Sequence, residues 1–362
     1  MWLGVGIVPQ APPTPRRTGN RRILREYTRL VTRRGDPSEP VPPYVADDID
    51  RAILRLLQLD ARRPFSAMAA ELEVSDQTVA RRYQRLRARA GVRVVAVTQP
   101  NINTERMSLF RIRVSHDLDT VAANLARRDD TAWVNVVSGP SGLELTVMVY
   151  RDRTAHGEFA LMKRLSDLPD VVSVTAQSCL HMFFGGPDSL LTKPDVATSA
   201  APTVDETWPH RVPVDLEDPD RRLLAALTVD GRAGVGQLSQ ASGLSQETVS
   251  RRLEMFVRNG ILYFDIDFDA ELLGLRSSVS LWITVAPSAV DDAGRALATH
   301  AEVSFAAATT GSTNLYATAH CTGTDELYRY LTGAAARLPG LRAVETAPLV
   351  RSVKRAGRDP LL

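Results

Sequence analysis

Apolar positions recur with two different periods along this chain, and the change from one period to the other happens twice. From Asp47 the period is helical. Ile49, Ile53, Leu54, Leu56 and Leu57 predict a first helix. Met68, Ala69 and Leu72 predict a second, with Ser66 able to start it. Val79, Tyr83 and Leu86 fall at i, i+4 and i+7 and give a third helix one apolar face. Ser75 is a good N-cap for it, because its hydroxyl can accept from a free amide one turn on. Gly91 is expected to close it. The other side carries Gln77, Ala80, Arg81 and Gln84, with Arg85 at the edge.

Beyond Gly91 the period becomes two. Arg93–Thr98 reads as an exit strand. Phe110, Ile112 and Val114 alternate with Arg111 and Arg113, as in a half-buried strand. Leu118, Val121, Ala122 and Leu125 return to a helical face. Residues 133–137 read as a strand, 138–142 as a turn, and Leu143, Leu145, Val147 and Val149 as the next strand. Ala155, Phe159 and Met162 mark a further helix, and a last strand begins at Val171. Strand, helix, strand, strand, helix, strand is the split ferredoxin-like order.

The whole pattern then repeats. The stretch from Leu244 to Leu253 repeats that from Val74 to Tyr83, with Ser245 lying 170 positions after Ser75 (245 − 75). The same offset superimposes Asp48, Asp50 and Arg51 on Asp218, Asp220 and Arg221. It also carries Leu54, Leu57, Asp60 and Arg62 onto Leu224, Leu227, Asp230 and Arg232, and Leu168-Pro169 onto Leu338-Pro339. Asp218 before Pro219 is expected to cap the second copy's first helix, and Gly243 to take a left-handed conformation in its turn. The predicted fold is therefore α+β, with two helix-turn-helix modules and two ferredoxin-like domains in tandem. The expected boundaries are a basic, disordered arm over 1–43, the first helix-turn-helix over 44–92 and its ferredoxin-like domain over 93–184. A Pro-rich linker over 185–214, a second helix-turn-helix over 215–261, a second ferredoxin-like domain over 262–355 and a short tail over 356–362 follow. As a flexible coil the linker would span on the order of 30 Å, enough for the two ferredoxin-like units to pair within one chain.

Bulk properties narrow the partners. The net charge of the 362 residues is only +2, so any nucleic-acid footprint must be local. The two modules differ: residues 47–93 hold ten Arg against seven Asp and Glu, whereas residues 217–263 hold six against six. Glu247 and Glu254 sit on the presented side of the second recognition helix, so phosphate repulsion should weaken that copy. Cys179 and Cys321 give neither a disulfide framework nor a zinc pattern, and they are expected on matching buried strands. A reducing cytoplasm is the expected compartment. No apolar run has the roughly 18 residues of a membrane span. The histidines at 116, 156, 181, 210, 300 and 320 lack metal-ligand spacing. No phosphate-cradling glycine loop or nucleophile elbow is present, so neither a cofactor nor a catalytic residue is expected.

The motif D-x-D-R…L-x-x-L-x-x-D-x-R followed by S-x-x-T-V-x-R-R resembles that of the leucine-responsive regulator (Lrp/AsnC) family of transcription factors, here as a tandem fusion. The resemblance covers roughly 45–184 and 215–355. It implies a regulator that binds double-stranded DNA, assembles as a homo-oligomer through its ferredoxin-like domains, and responds to an amino acid or another small effector. On that resemblance Ser75, Gln77, Thr78, Arg81, Arg82 and Arg85 form the first DNA surface, and Gln246, Thr248, Arg251 and Arg252 the second. Arg82 and Arg252 could equally be structural, since each flanks the apolar face. The family's effector turn, which usually runs Gly, two residues, then Asp, corresponds to Gly139, Ser141 and Gly142 in the first half. In the second half it corresponds to Gly311, Thr313 and Asn314. The Asp is missing from both, which leaves a different effector, no effector, or an ordinary hairpin turn. Sirohaem decarboxylases resemble the same family and place His on the second ferredoxin-like strand, where neither half here has one. A non-DNA-binding interaction protein is the third alternative.

Overall fold

The computed structural model describes residues 44–98, 105–128, 130–152, 156–186, 190–193 and 216–355. The expected arm at 1–43, most of the linker and the tail lie outside the described residues.

The first helix-turn-helix consists of α1 (Asp48–Leu59), α2 (Phe65–Glu71) and α3 (Asp76–Ala90). Ser75 caps α3 by accepting from the Thr78 amide at 3.1 Å, and Gly91 ends it in the left-handed conformation. The second module repeats the arrangement with α6 (Asp218–Val229), α7 (Val235–Ser242) and α8 (Gln246–Arg258). Two expected caps move by one or two positions. Pro64 rather than Ser66 precedes α2, and Glu217 rather than Asp218 precedes α6. In both cases a residue already in extended backbone starts the helix, and at Glu217 the amide is held by the Asp220 carboxylate at 3.2 Å.

The turns of the two modules differ in strain. Gly243 sits at φ +79°, as expected, but the matching position in the first module is Glu73 at φ +53°. A side chain there meets its own carbonyl. Glu73→Gly is expected to stabilise the first module by about 0.5–1 kcal/mol. A chemical-denaturation midpoint that falls would show that Glu73 makes compensating contacts.

The first ferredoxin-like unit comprises β2 (Glu105–Val114), α4 (Leu118–Ala126), β3 (Thr131–Gly139), β4 (Gly142–Asp152), α5 (His156–Ser166) and β5 (Val171–Phe184). The second comprises β7 (Ser277–Val285), α9 (Val290–Thr299), β8 (Val303–Thr309), β9 (Leu315–Cys321), α10 (Thr324–Thr332) and β10 (Leu341–Lys354). Each builds a four-stranded antiparallel sheet, and the two sheets then join. β5 pairs with β8 and β10 with β3, which closes an eight-stranded barrel in the order β10-β3-β4-β2-β5-β8-β9-β7. The expected pairing of the halves within one chain is present, and closure leaves the barrel no free strand edge.

Alternation along the strands sorts the side chains. Phe110, Ile112, Leu145 and Val147 pack outward under their helices, as do Val279, Leu281, Ile283, Leu315 and Ala317 in the second half. Residues of the opposite parity line the interior, where Leu109 and Met148 of the first half meet Trp282 and Tyr316 of the second. The cysteines do not match as expected. Cys179 is on β5, the fourth strand of its unit, and Cys321 on β9, the third of its unit. They also face opposite sides of the barrel wall, Cys179 against the interior cluster and Cys321 in the second half's outer core.

Candidate nucleic-acid interface

The exit strands explain how the two modules are held. β1 (Arg93–Thr98) and β6 (Leu262–Asp267) pair with each other, antiparallel, as a separate two-stranded ribbon. Val94 and Ile266 pack into the first module's core, while Ala96 and Leu262 pack into the second's. Each strand thus serves both cores.

Two arginines of the repeat fasten the ribbon. Arg62 donates to the Gly231 and Ala233 carbonyls at 2.7 and 2.8 Å. Arg232 donates reciprocally to those of Ala61 and Arg63, at 2.5 and 2.9 Å. The Arg232 guanidinium also lies over the Phe65 ring, 4.8 Å from its centroid. Burial lowers the pKa of both guanidinium groups, and the charge of Arg232 lowers that of Arg62 further. Asp60 and Asp230 orient the turns by accepting from the amides of Arg62 and Arg232. The D-x-R of each repeat is therefore a reciprocal clasp between modules, a role no sequence reading assigned to it.

The other shared acid is buried. Asp50 is completely inaccessible, and Tyr44, Arg82 at 3.0 Å and Arg85 at 3.3 Å converge on its carboxylate. Arg82 also bonds Asp47 at 2.6 Å, which holds that carboxyl below its ordinary pKa. In the second module Asp220 is equally buried, and Arg252 Nε lies 3.3 Å from it. Arg82, Arg85 and Arg252 thus tie each recognition helix to the first helix of its module. Met255 stands where the first module has Arg85, so the second tie is simpler.

The remaining candidates present an open front. Ser75, Gln77 and Arg81 are exposed on α3, as are Gln246 and Arg251 on α8. Gln84 is exposed beside Arg81, and Glu247, Ser250 and Glu254 flank Arg251. Thr78 and Thr248 are half-buried and bond their capping serines, at 2.9 and 2.8 Å between hydroxyls. They preserve the helix start.

The two turns expected to hold an effector are unlike. Ser141 and Gly142 are exposed, and a Cβ built on Gly142 would meet nothing within 4 Å. Gly139 instead abuts the Glu144 carboxylate. The turn at 311–314 is filled from the other half: Gln177 Nε2 donates to the Thr313 carbonyl and hydroxyl, both at 3.1 Å. A Cβ on Gly311 would lie 2.4 Å from that Gln177 nitrogen. Asn314 pins the turn to Val285 through two bonds of 2.9 Å.

No group of three metal-ligating side chains occurs among the described residues. No helix of the described residues is long and apolar enough to cross a membrane. Two histidines are enclosed. His300 bonds the Tyr330 hydroxyl at 3.1 Å, and His320 bonds Ser278 and Ser304 at 2.7 and 2.8 Å. Burial pushes each pKa down to about 4. A depressed histidine leaves stability intact above the unfolded value near 6.5 and removes it as pH falls toward 4. Unfolding free energy is therefore expected to drop across that window, and less steeply in His320→Gln. An identical pH profile for that variant would refute the assignment to His320.

Comparison with known proteins agrees with this architecture. The AsnC-type helix-turn-helix domain matches residues 47–87 and 216–255, and the Lrp/AsnC ligand binding domain matches 278–359. An uncharacterised HTH-type transcriptional regulator of Pyrococcus horikoshii is 26% identical over 152 residues, covering 42% of this chain and 96% of that protein. The HTH-type transcriptional regulator FL11 of the same organism is 23% identical over 152 residues, 42% of this chain and 99% of its own. The crystal structure of the siroheme decarboxylase NirDL superimposes on 86% of this chain and 94% of its own with a TM-score of 0.55 at 14% identity, a likeness of fold. Each regulator thus corresponds to about one half of the present polypeptide. The chain belongs to the Lrp/AsnC family, as a tandem fusion of two copies of its architecture.

Proposed function

We propose that the protein is a sequence-specific DNA-binding transcriptional regulator whose two recognition helices act as one clasped, asymmetric pair. The observation that carries this reading is the exposed Gln and Arg front of α3, left open because Arg82 and Arg85 are engaged by Asp50 behind it. Gln77, Arg81 and Gln84 suit base edges of the major groove. Arg81→Ala is expected to cost about 1–3 kcal/mol at the preferred site if the guanidinium makes a bidentate base contact. Unchanged affinity and site preference in quantitative gel shifts would reject that role.

The second front is more acidic, so two unlike half-sites are expected rather than a palindrome. Removing Gln77 and Arg81 should weaken binding more than removing Gln246 and Arg251. The reverse ranking would show that local charge does not set the balance. Genome-wide recovery of bound DNA supplies the site. A Soret band on titration with sirohaem would instead favour the enzyme reading.

An amino acid or similar small effector is the second ligand of this reading, and the open turn at 139–142 is the better place for it. Gly311→Asp would break the Gln177 seam, so Ser141 and Gly142 are the positions to vary. Calorimetry across the common amino acids with no heat would reject those ligands. Further assembly of chains into a homo-oligomer cannot extend the barrel by added strands, because the barrel has no free edge.

A further inference from the structure

The interior of the barrel is where the two halves meet, and there they are not interchangeable. The 170-residue offset of the last strands makes Thr175 the counterpart of Glu345, and Gln177 that of Ala347. In the strand registers Thr175 lies opposite Arg111, and Glu345 opposite Trp282. Arg111 and Trp282 are therefore counterparts. They also stack on each other, with the guanidinium 5.2 Å from the Trp282 ring centroid. One position, occupied by a cation in one half and by an aromatic ring in the other, forms a complementary pair at the centre of the interface.

The surroundings carry the same asymmetry. Arg111 is bound by Glu144 of its own half and, at 2.5 Å, by Glu345 of the other. Two first halves would offer each Arg111 a second Arg111 and a Thr175 in place of Trp282 and Glu345. Gln177 bonds Thr313 across the halves. Its counterpart Ala347 could make no such bond in a pair of second halves. Leu109 and Met148 pack against Trp282 and Tyr316. By the same registers, Ser280 is the counterpart of Leu109 and Thr318 that of Met148. Two second halves would therefore set Trp282 and Tyr316 against hydroxyls.

We propose that the interior face of each half is specific for the unlike half, so that the barrel closes only between a first and a second half and pairing of like halves is excluded. The partner surface each half fits is thus a second-half-type sheet for the first and a first-half-type sheet for the second, in the same chain or in another copy. Like charges at the centre, and polar groups left without partners, set this preference.

The test introduces a protease site between residues 204 and 205 of the full chain, cleaves the folded protein, and mixes it with isotope-labelled nicked protein. Native mass spectrometry then counts the pairs after exchange. Opposite-half pairs are expected to exceed like-half pairs by about tenfold or more, the ratio that roughly 1.4 kcal/mol produces. A statistical mixture of like and unlike pairs would overturn the proposal. Should the nicked halves separate without exchanging, Ser178→Cys with Thr310→Cys is read in the intact chain, since the Ser178 amide and the Thr310 hydroxyl are 2.9 Å apart. Disulfide peptides joining 178 to 310 support the proposal, and peptides joining 178 to 178 or 310 to 310 overturn it.

Discussion

The double variant Arg62→Ala with Arg232→Ala is expected to lose more stability than any other change at the paired modules. Each arginine satisfies two carbonyls of the opposite module in a half-buried position. Removing one takes the guanidinium partner from two carbonyls and costs about 1.5–3 kcal/mol, the range for hydrogen bonds to charged groups. The double variant should cost about 3 kcal/mol or more and more than either single change; the two arginines are neighbours whose charges interact, so the two losses are coupled and not simply additive. Arg232→Ala should be the worse single change, since it also loses the Phe65 ring face. The functional consequence follows from geometry. With the clasp open, the helices still reach DNA one at a time, so affinity for a single half-site should persist while affinity for the composite site falls. Urea melts and gel shifts on one-site and two-site duplexes measure both. A double variant within about 0.5 kcal/mol of the parent would remove the clasp from the account.

Asp50→Ala is the second large effect. It would strip Arg85 and the Tyr44 hydroxyl of their partner at a fully buried position and leave Arg82 with Asp47 alone. Breaking a buried ion pair costs about 3–5 kcal/mol, and the partial exposure of both arginines reduces this to about 2–3 kcal/mol here. Asp220→Ala should cost less, since Arg252 is its one arginine partner and that contact lacks hydrogen-bond alignment. Released from Asp50, Arg85 can turn toward phosphates, while Asp47 still holds Arg82. Non-specific DNA binding should therefore gain a steeper salt dependence even as the module loses stability. Equal destabilisation by Asp50→Ala and Asp220→Ala, with an unchanged salt slope, would contradict the assigned roles.

The sequence by itself determined the elements and their repetition. Val79, Tyr83 and Leu86 had to form one buried stripe, and Phe110, Ile112 and Val114 one strand face, because burial of apolar surface follows the local period. Ser75 and Gly91 marked the ends of α3 through chemistry that acts within one turn. The exposed front of Gln77 and Arg81 was legible as what the stripe left over. The tertiary structure decided the fate of the charged residues, because an arginine's partner can lie anywhere the fold brings it. Arg82 and Arg85 read as DNA contacts, yet Asp50, 32 and 35 positions earlier, engages both. Arg62 and Arg232 read as conserved features of a repeat within this chain, and their carbonyl partners lie 169 and 171 positions away. The 311–314 turn read as a binding loop, and Gln177 of the other half fills it. In each case the residue type announced a polar interaction, and the tertiary fold selected which one: packing inside one module for Arg82 and Arg85, and the meeting of the two halves for Arg62, Arg232 and the 311–314 turn.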